Sequence, residues 1–175
     1  MKYFLVLLLF LTVISSCRQN KSTPEKKQTK AEAIATLERI NRVLIQEDRE
    51  LIEGYIKRNK LENMKEAETG LFYLIWGEPT GEFIKLGDII EYNYKISLLD
   101  GTLCYESKPN SPGKFMVGHG GVESGLEQGV LMMKPGQKAK FIIPPFLAHG
   151  LIGDADRIPA RAIIVYDIEL LSVNP

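Results

Sequence analysis

Residues 134–143 read KPGQKAKFII. The first three form a turn, with proline and glycine at the central positions that a type II turn prefers. From Gln137 the residues alternate: Ala139, Phe141 and Ile143 on one side, Lys138, Lys140 and Ile142 on the other. That period of two predicts a strand with one face on a core and the other turned outward. The same period returns upstream in residues 88–98, where Ile90, Tyr92, Tyr94, Ile96 and Leu98 oppose Glu91, Asn93, Lys95 and Ser97. Asp100-Gly101 is a hairpin signal, so residues 102–106 form the return strand and 114–117 a further short one. Residues 71–76 (LFYLIW) and 162–171 (AIIVYDIELL) add two more strands. Residues 121–133 instead carry a short helical pattern, with Val122, Leu126, Val130 and Met133 on one side. Residues 144–161 hold three prolines and two glycines and read as a long loop. The expected fold class is α+β, a twisted antiparallel sheet wrapped on a short helix.

Before this domain, residues 31–60 contain no proline, and Ile34, Leu37, Ile40, Leu44, Leu51 and Tyr55 recur at spacings of three, four or seven. This is an amphipathic helix, its stripe widened by Ile45, Ile52 and Ile56. Two readings stay open: a helix lying on its own domain, or a helix that pairs with a partner or a second copy.

The start of the chain reads differently. Met1-Lys2 is followed by an apolar run over residues 3–14, broken only by Thr12, and then by Ser15, Ser16 and Cys17. A run of this length suits a signal-peptide core and is too short to span a bilayer as a helix, which takes about 20 residues. Residues 18–30 (RQNKSTPEKKQTK) have no aliphatic or aromatic side chain and carry five basic residues against one acid. Such a segment has nothing to bury and reads as a solvated tether, with a reach of about 45 Å when extended. The expected organisation is a signal peptide at 1–16, a tether at 17–30, a helical segment at 31–68 and the α+β domain at 69–175.

Composition narrows the function. The chain has 175 residues, 22 basic and 22 acidic side chains and no net charge. A neutral chain is a poor partner for a phosphate backbone, so nucleic-acid binding is not expected. Two cysteines and two histidines make neither a disulfide framework nor a metal centre of the usual ligand count. The glycines around His119, Gly118 to Gly121, fit neither a dinucleotide fingerprint nor a P-loop and read as a tight connection.

Taken in order, the strand at 88–98, the DG turn, KFMVG, GLEQGV, KPGQKAKFIIPP, AHG, IP and VYDIELL resemble an FKBP-type peptidyl-prolyl isomerase over residues 71–173. Ile14-Ser15-Ser16-Cys17 resembles the bacterial lipobox, which implies cleavage before Cys17 and lipid attachment there. The whole arrangement is similar to FKBP-type lipoproteins of the Bacteroidota, among them gliding-motility-associated isomerases. The resemblance implies an isomerase that needs no cofactor and no metal and acts on proline-containing polypeptide clients. It would be anchored through Cys17 in a bacterial envelope, at the outer membrane facing the periplasm, where it would assist folding. The same fold used as a chaperone or docking module is the alternative.

By this resemblance, Tyr94, Phe115, Val122, Ile158 and Tyr166 would line a proline pocket, with Leu126 as floor and Cys104 in a wall. The backbone amide of Glu123 would hold a substrate carbonyl, and His149 would stand at the rim where the family usually has a tyrosine donor. Tyr105 stands where the family has an aspartate, Leu126 where it has a tryptophan, Cys104 where it has a phenylalanine, and Gly113 where it has an aromatic. These departures predict a wider, less aromatic pocket, with the Tyr105 hydroxyl as a donor at its edge.

Overall fold

A computed structural model of the chain describes residues 29–174. The signal peptide, Cys17 and almost all of the tether lie outside the described residues. The described residues fall into two units, 29–39 and 40–174. The described part of the first opens helix α1 (Lys30–Arg58). Thr29 and Glu32 start it with a reciprocal cap: the Glu32 N–H donates to the Thr29 hydroxyl at 3.3 Å and the Thr29 N–H to the Glu32 carboxylate at 2.9 Å.

The second unit is built on one antiparallel sheet. Its strands are β1 (Lys65–Glu66), β2 (Phe72–Trp76), β3 (Ile89–Leu98), β4 (Leu103–Glu106), β5 (Gly113–Met116), β6 (Lys138–Ile143) and β7 (Ile164–Asn174). The order is β1-β2-β6-β7-β3-β4, and β5 also pairs with β3. β4 and β5 therefore share one edge of β3: β5 pairs with Ile89–Tyr92 and β4 with Lys95–Ser97. The sheet begins at Lys65, four residues before the expected start of the domain at residue 69.

Helix α2 (Ser124–Val130) packs on one face of the sheet against β6. The packing is close because the helix presents glycines there. A Cβ at Gly125 would meet Ile143 Cγ2 at 2.4 Å, and one at Gly129 would meet the Phe141 ring at 2.7 Å. Leu126, Val130 and Met133 join Phe141, Ile143, Ile96 and Tyr166 in the main core, as the alternation and the helical spacing predict.

The other face corrects one expectation. Ile142 was expected to point outward with Lys138 and Lys140, yet it is fully buried. It packs with Phe72, Ile163, Val165 and Ile52, the last of these from α1. From Ile40 onward the helix belongs to this unit, and it covers this end of the sheet's back face. Two ion pairs fix it: Arg161 Nη2 lies 2.7 Å from the buried Asp48 carboxylate, and Arg49 Nη2 lies 2.6 Å from the Glu66 carboxylate of β1. Tyr55 and Ile56 of the stripe pack half-buried beside Ile52, while Ile40, Ile45 and Leu51 remain exposed, as does the neighbouring Val43.

Candidate functional site

Residues directly opposite one another in an antiparallel sheet project to the same face. Ile96 of β3 is opposite Tyr105 of β4 and Tyr166 of β7, and Tyr166 is opposite Phe141 of β6. One row across four strands therefore carries Phe141, Tyr166, Ile96 and Tyr105. Two residues back along β3, Tyr94 projects to the same side, and Tyr92 follows it. These rings stack at an angle. Tyr94 and Tyr166 have centroids 6.2 Å apart, and Tyr92 lies 5.6 Å from both Tyr94 and Phe115.

Two loops close this row into a cavity of about 530 Å³. The segment before α2 contributes Gly121, Val122 and Glu123, and the loop after β6 contributes Ala148 and His149. The Glu127 carboxylate pins the first by accepting the Gly118 and Gly120 N–H groups, which gives the tight connection read from the glycines around His119. The Ser124 hydroxyl donates to the Leu147 carbonyl at 3.2 Å and ties the two loops together.

Of the residues implied by the resemblance, the structure brings Tyr94, Tyr105, Val122, Glu123, His149 and Tyr166 around this cavity. Cys104, Phe115, Leu126 and Ile158 do not line it; they are buried in the core behind it. The reasons are local. The register shift between β3 and β4 leaves Cys104 of β4 without a pairing partner on β3, and its thiol turns towards the Arg157 carbonyl, 3.6 Å away. Burial pushes that thiol's pKa up, so it behaves as a small apolar group. Leu126 points from α2 into the helix–sheet interface, and Tyr92 covers Phe115 edge-on.

Tyr92 also changes the expected character of the pocket. A Cβ at Gly113 would meet its ring at 2.8 Å, so the aromatic missing at Gly113 is supplied across the strand pair. Four tyrosines line the cavity. The alternation already placed Tyr92 on the same face as Tyr94, and that signal was enough to find it.

The electrostatics centre on two carboxylates. The Glu123 side chain is 10% exposed; one oxygen is 2.9 Å from His149 Nε2, and the other accepts from the Tyr166 hydroxyl at 3.3 Å. Burial, and then the charge of Glu123, push the Tyr166 and Tyr92 hydroxyls well above the usual phenol range. At the cavity's edge the Tyr105 hydroxyl donates to Asp154, with Asp156 3.2 Å away. That bond raises Tyr105 to about 12 and lowers Asp154 to about 2. The hydroxyl expected as a free donor is therefore engaged within the protein. Asp154 also accepts the Asp156 and Ile158 N–H groups and shapes the loop; nothing in the local sequence singled it out. The Glu123 N–H, by contrast, has no acceptor among the described residues.

A larger recess of about 790 Å³ lies elsewhere on the unit, lined by Tyr73, Ile75, Phe83, Met132 and Lys134 among others. It gathers none of the residues that the sequence singled out, so the tyrosine-lined cavity is the candidate site.

Comparison with known proteins bears on the same region. The family model described as FKBP-type peptidyl-prolyl cis-trans isomerase matches residues 80–171. "Peptidyl-prolyl cis-trans isomerase FKBP10" of Mus musculus is 38% identical over 96 residues, which is 54% of this chain and 16% of that protein. The chain thus spans only a small part of the FKBP10 length. "FKBP-type peptidyl-prolyl cis-trans isomerase FkpA" of Aeromonas hydrophila is 38% identical over 124 residues, 70% of this chain and 45% of that one. The crystal structure of FkpA from Escherichia coli superposes with a TM-score of 0.64 at 31% identity, covering 85% of this chain and 75% of the other. A peptidyl-prolyl cis-trans isomerase structure from Pseudomonas syringae gives the same score at 25% identity, covering 77% and 96%. With a tyrosine-lined cavity on a helix-packed antiparallel sheet, and the family model matched across most of the domain that forms it, the chain belongs to the FKBP-type peptidyl-prolyl cis-trans isomerases.

Proposed function

We propose that the chain is a membrane-anchored peptidyl-prolyl cis–trans isomerase that assists folding in a bacterial envelope. The observation that carries this reading is the cavity lined by Tyr92, Tyr94, Tyr105 and Tyr166, with the Glu123 N–H unengaged beside it. An X–Pro bond resists rotation by about 20 kcal/mol because resonance makes it partly double. Crossing that barrier breaks no bond. The planar amide is the more charge-separated form, so a dry pocket disfavours it relative to the twisted one. A thousandfold acceleration needs only about 4 kcal/mol of such differential stabilisation. The aromatic walls supply the dry surface, and the Glu123 N–H is the donor for a client carbonyl.

The test is isomerisation by the purified chain, with a proline-containing tetrapeptide and with a protein whose refolding waits on a proline. Acceleration in both, lost in Tyr166→Ala with the circular dichroism spectrum retained, is the expected result. No acceleration from a folded chain overturns the reading.

A second reading, a chaperone or docking module on the same fold, draws on a different observation. The loop that carries His149 also displays Phe146, Leu151 and Ile152, the last 84% exposed. Phe146 and Leu151 line a groove against α1, and this apolar surface suits extended apolar clients. Suppression of client aggregation that survives Tyr166→Ala favours it.

The anchor, the membrane and the lineage rest on sequence. The lipobox-like Ile14-Ser15-Ser16-Cys17 supports a lipidated Cys17 at the outer membrane, facing the periplasm, in a lipoprotein of the Bacteroidota type. Labelled fatty acid incorporated by the wild type and lost in Cys17→Ala is expected. The link to gliding motility is tested by deleting the gene and scoring surface spreading. Pairing of two copies through α1 draws support from the exposed Ile40, Val43, Ile45 and Leu51; sedimentation as a monomer at high concentration overturns it.

A further inference from the structure

We propose that Glu123 is a positioning residue, whose side-chain carboxylate clamps the His149 ring and the Tyr166 hydroxyl and so holds His149 as the Nε2–H tautomer, with Nδ1 open to a bound chain. Its consequence for clients rests on the isomerase reading; the clamp itself does not.

Three segments distant in sequence meet at this carboxylate. Glu123 precedes α2, His149 follows β6, and Tyr166 lies in the middle of β7. One oxygen is 2.9 Å from His149 Nε2 and the other 3.3 Å from the Tyr166 hydroxyl. An ionised carboxylate can only accept, so both partners must present protons to it. A neutral imidazole has one ring proton, and Glu123 claims it for Nε2. Nδ1 is then bare, and no hydrogen bond engages it among the described residues.

Burying a carboxylate is costly unless its oxygens are satisfied. Here both are, and His149 is the only basic group paired with Glu123 among the described residues. The other charged groups near this ring lie across the loop: Asp154, bonded to Tyr105, and Asp156 beside it. They set the field at the cavity's edge but leave Nε2 to Glu123. Glu123 thus has two roles, of which the resemblance implied only the first. Its backbone N–H is free beside the cavity, and its side chain orients the ring at the rim.

The decisive variant is Glu123→Gln. A glutamine has nearly the same shape but one accepting oxygen and one donating NH2. It cannot accept from both partners, so either the histidine changes tautomer or the tyrosine hydroxyl turns away. The first measurement is a long-range 1H–15N spectrum of the His149 ring in the full chain at about pH 8.5, above the usual histidine range. The wild type is expected to show a protonated Nε2 and a bare Nδ1, and E123Q either to lose this state or to keep it with the Tyr166 hydroxyl released. The second is the steady-state kinetics of a proline peptide. A rim contact acts alike on bound substrate and transition state, so E123Q should raise KM about fivefold with kcat within about twofold. Partial unfolding would instead lower kcat and spare KM. Glu123→Asp, which keeps two accepting oxygens, should recover part of the KM. A protonated Nδ1 in the wild type, a tautomer mixture, or an unchanged KM in E123Q overturns the proposal. A wild type without isomerase activity would defeat the proposed function, while the spectrum would still decide the clamp.

Discussion

The two faces of the sheet use the same strands for different ends. On the back face, Phe72, Ile142, Ile163 and Val165 meet Ile52 of α1 in an apolar patch, and the ion pairs Asp48–Arg161 and Arg49–Glu66 join the helix to the unit. On the front face, the row from Phe141 of β6 continues into Tyr166 and Tyr105, the row from Ala139 continues into Tyr94, and Tyr92 follows Tyr94 along β3. There every hydroxyl or carboxylate facing the cavity must find a partner or face water. The difference shows how a strand with period two separates stability from chemistry: neighbouring residues such as Phe141 and Ile142 serve opposite faces.

Breaking each face in turn sharpens this contrast. Ile142→Ala removes a fully buried side chain from the back face and should cost about 2–5 kcal/mol in denaturant unfolding. At temperatures where the variant stays folded, its KM for a proline peptide should match the wild type. A raised KM would mean that the faces are not separable.

Asp48→Asn is expected to be milder. It removes the charge facing Arg161 but leaves a polar group, and the arginine is partly exposed, so solvent screens the pair. A loss of about 1–2 kcal/mol is expected. Hydrogen exchange at the Arg161 amide, which donates to the Gly150 carbonyl at 3.0 Å, should accelerate because the same ion pair braces that loop.

The smallest effect is at the cavity's edge. Asp154 is lowered from 3.8 to about 2 by the Tyr105 bond. Its folded value lies below the unfolded one, so the bond contributes stability above about pH 4 and loses it as pH falls through about 2. Tyr105 is raised from 10.0 to about 12, so the same bond contributes below pH 10 and fades as pH rises through about 12. Tyr105→Phe should therefore be less stable than the wild type at neutral pH and converge with it at both extremes. A constant gap across the acid limb would show that the Asp154 bond is not its source.

Much of this was legible beforehand. The alternation in residues 88–98 and 137–143, the DG turn and the helical spacing around Leu126 are local patterns, and each became the expected element. Tyr94, Tyr105, His149 and Tyr166 were singled out, and the structure gathers all four. What was not legible is what depends on a distant neighbour. Ile142 reads as outward until α1 covers it. Cys104 reads as a wall until a register shift turns it inward.

The amino-acid order by itself determined the elements, the turns between them and the family, because hydrophobic period, glycine and proline act within a few residues. The tertiary structure alone decided which aromatic ring fills the space at Gly113, that Asp154 engages the Tyr105 hydroxyl, and that the Glu123 carboxylate meets His149 and Tyr166. Those contacts join residues tens of positions apart, and no local pattern encodes where a buried charge will find its partners.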